Sequence, residues 1–195
     1  MRERVSIFNI TANYQFYHGI SDSPPANGAP PVDSYNLWKE WGPAGNPTHR
    51  LTTSVNSKLP MGVFLTTNIN AKSGTFYTIT TGKLNREGNQ VERPNGLGKN
   101  SEIGPHYFDV SFNITKSFPL HHLSGALPQR RPAPNAPAIN AGTGPQMNVF
   151  ANISNAFNMT HLGTPSGVMT SPFFMKSYST SADARTLQVG MRFQF

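Results

Sequence analysis

The chain has 195 residues, with 17 Gly, 17 Pro, 13 Phe, no Cys and only 13% charged residues. So few charges beside so many aromatics exclude a disordered chain, and the lack of Cys excludes a disulfide framework, a thiolate metal site and a Cys nucleophile. The net charge of +7 (16 basic against 9 acidic residues) is scattered from Arg2 to Arg192, with only Arg130 and Arg131 adjacent, so no nucleic-acid partner is expected.

In chain order, the N-terminus opens on Met1–Arg4, charged like the start of a signal peptide. The following Val5–Thr11 is too short and polar for the apolar segment such a peptide needs. No run approaches the 18 apolar residues of a membrane helix. Period-two alternation then dominates. Phe8, Ile10, Ala12, Tyr14 and Phe16 alternate with Asn9, Thr11, Asn13 and Gln15; Leu51, Thr53 and Val55 alternate with Thr52, Ser54 and Asn56. Val63, Leu65, Thr67, Ile69 and Ala71 continue the pattern, as do Phe108, Val110, Phe112 and Ile114 against Asp109, Ser111, Asn113 and Thr115. In Met147–Ser154 the alternation holds except at Phe150, and it closes the chain from Leu187 to Phe195. Six strands are predicted, at about 5–17, 49–58, 61–81, 106–118, 146–157 and 185–195. The tight link 58–62 joins the second and third. Long segments at 18–47, 82–105, 119–145 and 158–184 join the others.

Soluble sandwiches also alternate, but their outer faces carry Lys and Glu. Here the polar face is Asn, Gln, Ser and Thr, the pattern of a transmembrane β-barrel with an apolar exterior and a polar lumen. Strands of this length cross a bilayer when tilted. Aromatics near strand ends, such as Tyr14, Phe16, Tyr17, Tyr107, Phe193 and Phe195, suit an interfacial girdle. Six strands leave two edges, and unpaired backbone in lipid costs several kcal/mol per group. The smallest bacterial barrels have about eight strands, so the expectation is an all-β, antiparallel up-and-down meander forming part of a larger barrel. The Pro-rich 119–145 segment is the one connection longer than this pattern asks for at its end of the barrel.

Gln188-x-Gly190-x-x-Phe193-x-Phe195 resembles the β-signal by which outer-membrane barrels are handed to their assembly machinery; an alternating strand with a free edge can augment a partner sheet. Further stretches carry a wider likeness: Ala12–Phe16, Tyr35–Pro43, His49-Arg50, Ser73–Gly82, Arg93-Pro94, Lys99–Ser101, Gly104–Val110, Asn152–Asn158 and Leu162–Pro165. In this order and spacing the chain resembles the C-terminal part of the barrel of TonB-dependent outer-membrane receptors, of the Oar-like group with a carboxypeptidase-regulatory-like N-terminal domain. The resemblance implies a 22-stranded, plugged barrel, of which residues 1–195 are the C-terminal fragment, with signal peptide and plug lying upstream. It further implies a bacterial outer-membrane location and active uptake of a small ligand. Lipid, the barrel-assembly machinery and, through the missing plug, the TonB system would be its partners.

Candidate ligand contacts are the loop aromatics Tyr35, Trp38, Trp41, Phe173 and Tyr178, while Asp109, Asn113, Asn152 and Arg192 are candidate lumen-facing residues. Asp109 is expected to pair with a lumen cation, Arg192 or Lys72, or to touch the plug. No catalytic residue, metal or cofactor is expected. Adjacent His121 and His122 point apart on an extended chain, no G-x-S-x-G occurs, and no phosphate-binding Gly loop opens a helix. In the loop 82–94, Asn85, Glu87, Asn89 and Glu92 sit among cations with no Asp, a poor calcium set. Two other function classes stay open: an oligomeric passive pore or adhesin, and a soluble β-sandwich that binds carbohydrate.

Overall fold

The computed structural model describes residues 8–22, 30–120 and 145–194. The described residues are all-β, with two short 3-10 turns and no α-helix. Six long strands form one antiparallel sheet: β1 Phe8–Phe16, β2 His49–Leu59, β3 Val63–Lys72, β4 Tyr107–Pro119, β5 Gln146–Ser154 and β6 Thr186–Gln194. Their order in the sheet is their order in the chain, an up-and-down meander. β1 and β6 are the two edges, so among the described residues the sheet is open.

Every strand keeps its alternation in phase with its neighbours. One row across all six strands reads Ile10, Val55, Thr67, Phe112, Ile153 and Leu187. The row behind it, on the other face, reads Asn9, Asn56, Thr66, Asn113, Asn152 and Gln188. A slip of one residue in any pairing would mix the two sets, so the alternation fixes the register. The outcome is an apolar face and an amide and hydroxyl face.

Among the described residues no second layer covers the apolar face. Ile79 and Val110 are the buried hydrophobic residues among those described, whereas Val189 and Met191 keep 66% and 64% of their surface and Tyr14 and Phe16 keep 61% and 63%. Aromatic rings stand at both ends of this face. Tyr14, Phe16 and His49 cluster at one end, with the Tyr14 hydroxyl 2.8 Å from His49 Nδ1. Phe118, Met147 and Phe193 make one row at the other. Lys116, the cation within this face, extends over the Phe118 ring at 4.8 Å.

The connections segregate. The hairpin tip between β2 and β3 lies at the end of the sheet where β4 finishes and β5 starts. The described residues of segments 17–48, 73–106 and 155–185 lie at the opposite end. The Pro-rich part of the β4–β5 connection and residues 5–7 of the first predicted strand fall outside the described residues. The hairpin tip places Met61 and Gly62 at positive φ, 64° and 71°.

Two predicted strands differ from those observed. The alternation from 61 predicts a strand to 81, but β3 ends at Lys72. Phe76–Tyr77 instead pairs with Glu102–Ile103 as a separate two-residue ladder. The strand predicted to 157 ends at Ser154, because Asn155 and Asn158 take left-handed backbone (φ 48° and 52°). Asn tolerates that region better than most residues.

Candidate functional site

The three long segments are tied to one another by specific polar contacts. In the first, the 3-10 turn Leu37–Glu40 carries Glu40 inward. There Glu40 meets Arg93 of the second segment at 2.7 Å, with side chains only 11% and 6% exposed. Glu40 Oε1 also accepts the Val32 N–H at 2.9 Å, and Arg93 donates to the Lys39 carbonyl at 2.7 Å. A buried ion pair holds only when its remaining hydrogen-bonding capacity is satisfied, and neither side chain has a buried polar atom left without a partner.

Residues 82–94 organise themselves around Asn85. Its Oδ1 accepts the N–H groups of Glu87 and Asn89, and its Nδ2 donates to the Val32 carbonyl at 2.9 Å. Glu87 accepts from the Ser34 N–H and hydroxyl, and Glu92 accepts from Thr81. The side-chain oxygens of Asn85, Glu87 and Glu92, weighed as calcium ligands, are thus directed at separate protein donors. The third segment joins the second through a parallel bridge between Thr80 and Val168. At two contacts, Gly42 against the Lys99 carbonyl and Gly167 against the Thr78 carbonyl, an added Cβ would overlap backbone. Beneath this cap His161 is buried, its ring stacked on Tyr107 at 4.3 Å and its Nε2 donating to the Phe108 carbonyl at 2.9 Å. Burial, with the nearby Glu102 carboxylate adding to it, pushes the Tyr77 hydroxyl above its ordinary pKa.

Four of the five predicted loop aromatics fall into two pairs on this cap. Trp38 and Trp41 lie 6.4 Å apart at a tilt of 38°, and Phe173 and Tyr178 lie 5.6 Å apart at 43°. Tyr35 is 90% exposed and Trp38 81%. The loops are tied by the polar and glycine contacts, and the rings remain exposed on the surface.

Asp109, Asn113, Asn152 and Arg192 all lie on the amide face. Asn113 donates to Asn152 across β4 and β5, and Thr115 joins through a 3.1 Å bond to Asn113. Arg192 borders the same shallow groove with Gln188 and Phe150. Asp109 is not part of this group. It stands opposite Asn70, near the loop end, while Arg192 stands opposite Asn148, toward the hairpin end. Register therefore rules out the Asp109–Arg192 pair. Lys72 is a diagonal neighbour of Asp109, yet its ammonium lies 4.7 Å from the Tyr107 ring centroid, and no ion pair joins it to Asp109.

Gln188, Gly190 and Phe193 of the terminal motif lie on β6; Phe195 lies outside the described residues, as do His121 and His122. Gly190 faces Phe150 directly, and a Cβ there would stand 2.5 Å from the ring's Cζ. Phe150 breaks the polar pattern of its face because its ring occupies the space over the glycine. Among the described residues no three His, Cys, Asp or Glu side chains come together as a metal site, and no helix is long and apolar enough to cross a membrane.

Searches against protein families, curated proteins and solved structures find no match.

Proposed function

We propose that this chain forms part of the wall of a bacterial outer-membrane β-barrel, with TonB-dependent uptake of a small ligand as its function. The observation that carries the membrane reading is the uncovered apolar face, continuous in register over six strands and backed by a face of amides and hydroxyls. Lipid satisfies such a face without a second layer, and closure of the sheet satisfies its edges. Strands of 9 to 13 residues match a tilted crossing. The aromatic clusters at both ends suit the two interfaces, and Lys116 lies near one of them, where its stem covers apolar surface while its ammonium reaches water. The uptake function, the 22-stranded barrel, the plug and the TonB partner rest on the resemblance of the terminal strand and loop motifs. In this reading the three-segment cap faces outward and presents the two aromatic pairs to ligand, while the β6 motif serves assembly.

The absence of Cys makes the test clean. Single Cys residues placed from 51 to 58 are spin-labelled in the full chain reconstituted in lipid vesicles. Labels at 51, 53 and 55 are expected to collide readily with oxygen and poorly with a water-soluble nickel chelate. Labels at 52, 54 and 56 should show the reverse. Odd positions shielded from both reagents would mean a dry protein core and put the soluble sandwich first.

A further inference from the structure

The register places two cations face to face. Arg50 on β2 is directly opposite Lys72 on β3, both on the amide face. Gln15 on β1 and Tyr107 on β4 extend the same row to either side, giving four hydrogen-bond donors across four strands. Like charges directly opposite on a sheet repel each other. The ion pairs among the described residues are Lys39–Asp33 and Arg93–Glu40, and neither Arg50 nor Lys72 takes part in one. Asp109 is the acid in the strands of this face, one step along at the level of Asn70. Against it stand Arg50, Lys58, Lys72 and Arg192, so the face is positive as a whole.

The two cations border a cavity of about 340 Å³, with Gln15, Asn46 and Asn70 on its walls. That volume falls in the range of small-molecule sites, roughly 300–1,000 Å³. A guanidinium offers a rigid fork of N–H donors to an oxyanion, and an ammonium adds a mobile point charge. Amides beside them supply neutral donors. The Oδ1 of Asn70 is buried and makes no hydrogen bond, and the amide can turn over to present its nitrogen.

We infer that this recess binds an oxyanion group, phosphate or carboxylate, of a small solute. The bound charge would relieve the repulsion between Arg50 and Lys72. The inference rests on the amide face and its cavity alone, so it stands or falls separately from the membrane reading.

The full chain, in mild detergent or in plain buffer if it proves soluble, is titrated calorimetrically with inorganic phosphate and, in parallel, with succinate. Saturable binding of at least one is expected, weakening as salt screens the charges. Arg50→Gln and Lys72→Gln should each weaken it about tenfold or more, and the double variant should lose it. Lys58→Gln, at the other end of the same face, should leave it unchanged. Because removing like charges relieves strain, the double variant should melt no lower than the parent without added anion, which separates lost binding from lost folding. The ligand that binds names the class of solute. Saturable binding of neither, or undiminished binding in the double variant, overturns the inference.

Discussion

At the scale of single residues, contacts opposite each other across strands decide what a position tolerates. Gly190 has no room for a side chain because the Phe150 ring already fills it. Gly190→Ala is expected to destabilise the protein by about 1–3 kcal/mol, the usual range for overpacking. Phe150→Ala should remove most of that penalty in the double variant, a coupling that a urea-unfolding double-mutant cycle will measure. Phe150 is the one residue of its strand that breaks the alternation in the sequence. The reason lies 40 residues away, where no local pattern reveals it. In the first long segment, the Lys39 ammonium, at 2.9 Å, and the Tyr35 N–H hold the Asp33 carboxyl below its ordinary pKa. A depressed carboxylate stabilises the folded loop at pH above its unfolded value and loses that contribution as pH falls through the folded one. The carboxyl carbon shift of Asp33 should therefore titrate with a midpoint below the ordinary aspartate value, and Lys39→Ala should move the midpoint back up.

At the scale of elements, the strands were legible and the loops were not. Each strand announces itself because its two faces meet different surroundings, and period two survives from Phe8 to Phe16 and from Thr186 to Gln194. Strand ends were harder to read. The pattern runs on past Lys72, but the chain leaves the sheet at Ser73-Gly74 to build the Phe76–Tyr77 ladder with Glu102–Ile103. The Glu40–Arg93 pair joins residues 53 apart, and nothing in either neighbourhood marks them as partners. Likewise the Arg50–Lys72 juxtaposition exists only once β2 and β3 are in register. Removing one half of a buried ion pair costs about 3–5 kcal/mol, since the other charge is left without compensation. Arg93→Ala should thus unfasten the first loop from the second. The check is hydrogen exchange at the Val32 amide, whose bond to Glu40 should lose protection while amides of β2 and β3 keep theirs.

At the scale of the whole molecule, the sheet separates two kinds of work. Its two faces are distinguished by chemistry, and its two ends by what they carry, the three-segment cap at one and the β2–β3 hairpin tip at the other. The cap at the loop end draws its order from backbone contacts at glycines and from a few satisfied polar groups. The large rings contribute little to that order. Tyr35, Trp38 and Tyr178 stay mostly exposed while Gly42 and Gly167 sit where no side chain fits. This division has a consequence for how such a protein can change over generations. Substitutions among the exposed rings can alter what the cap prefers to touch without loosening it, whereas the two glycines are closed to variation. In the proposed role, recognition is therefore free to drift on a scaffold that is not.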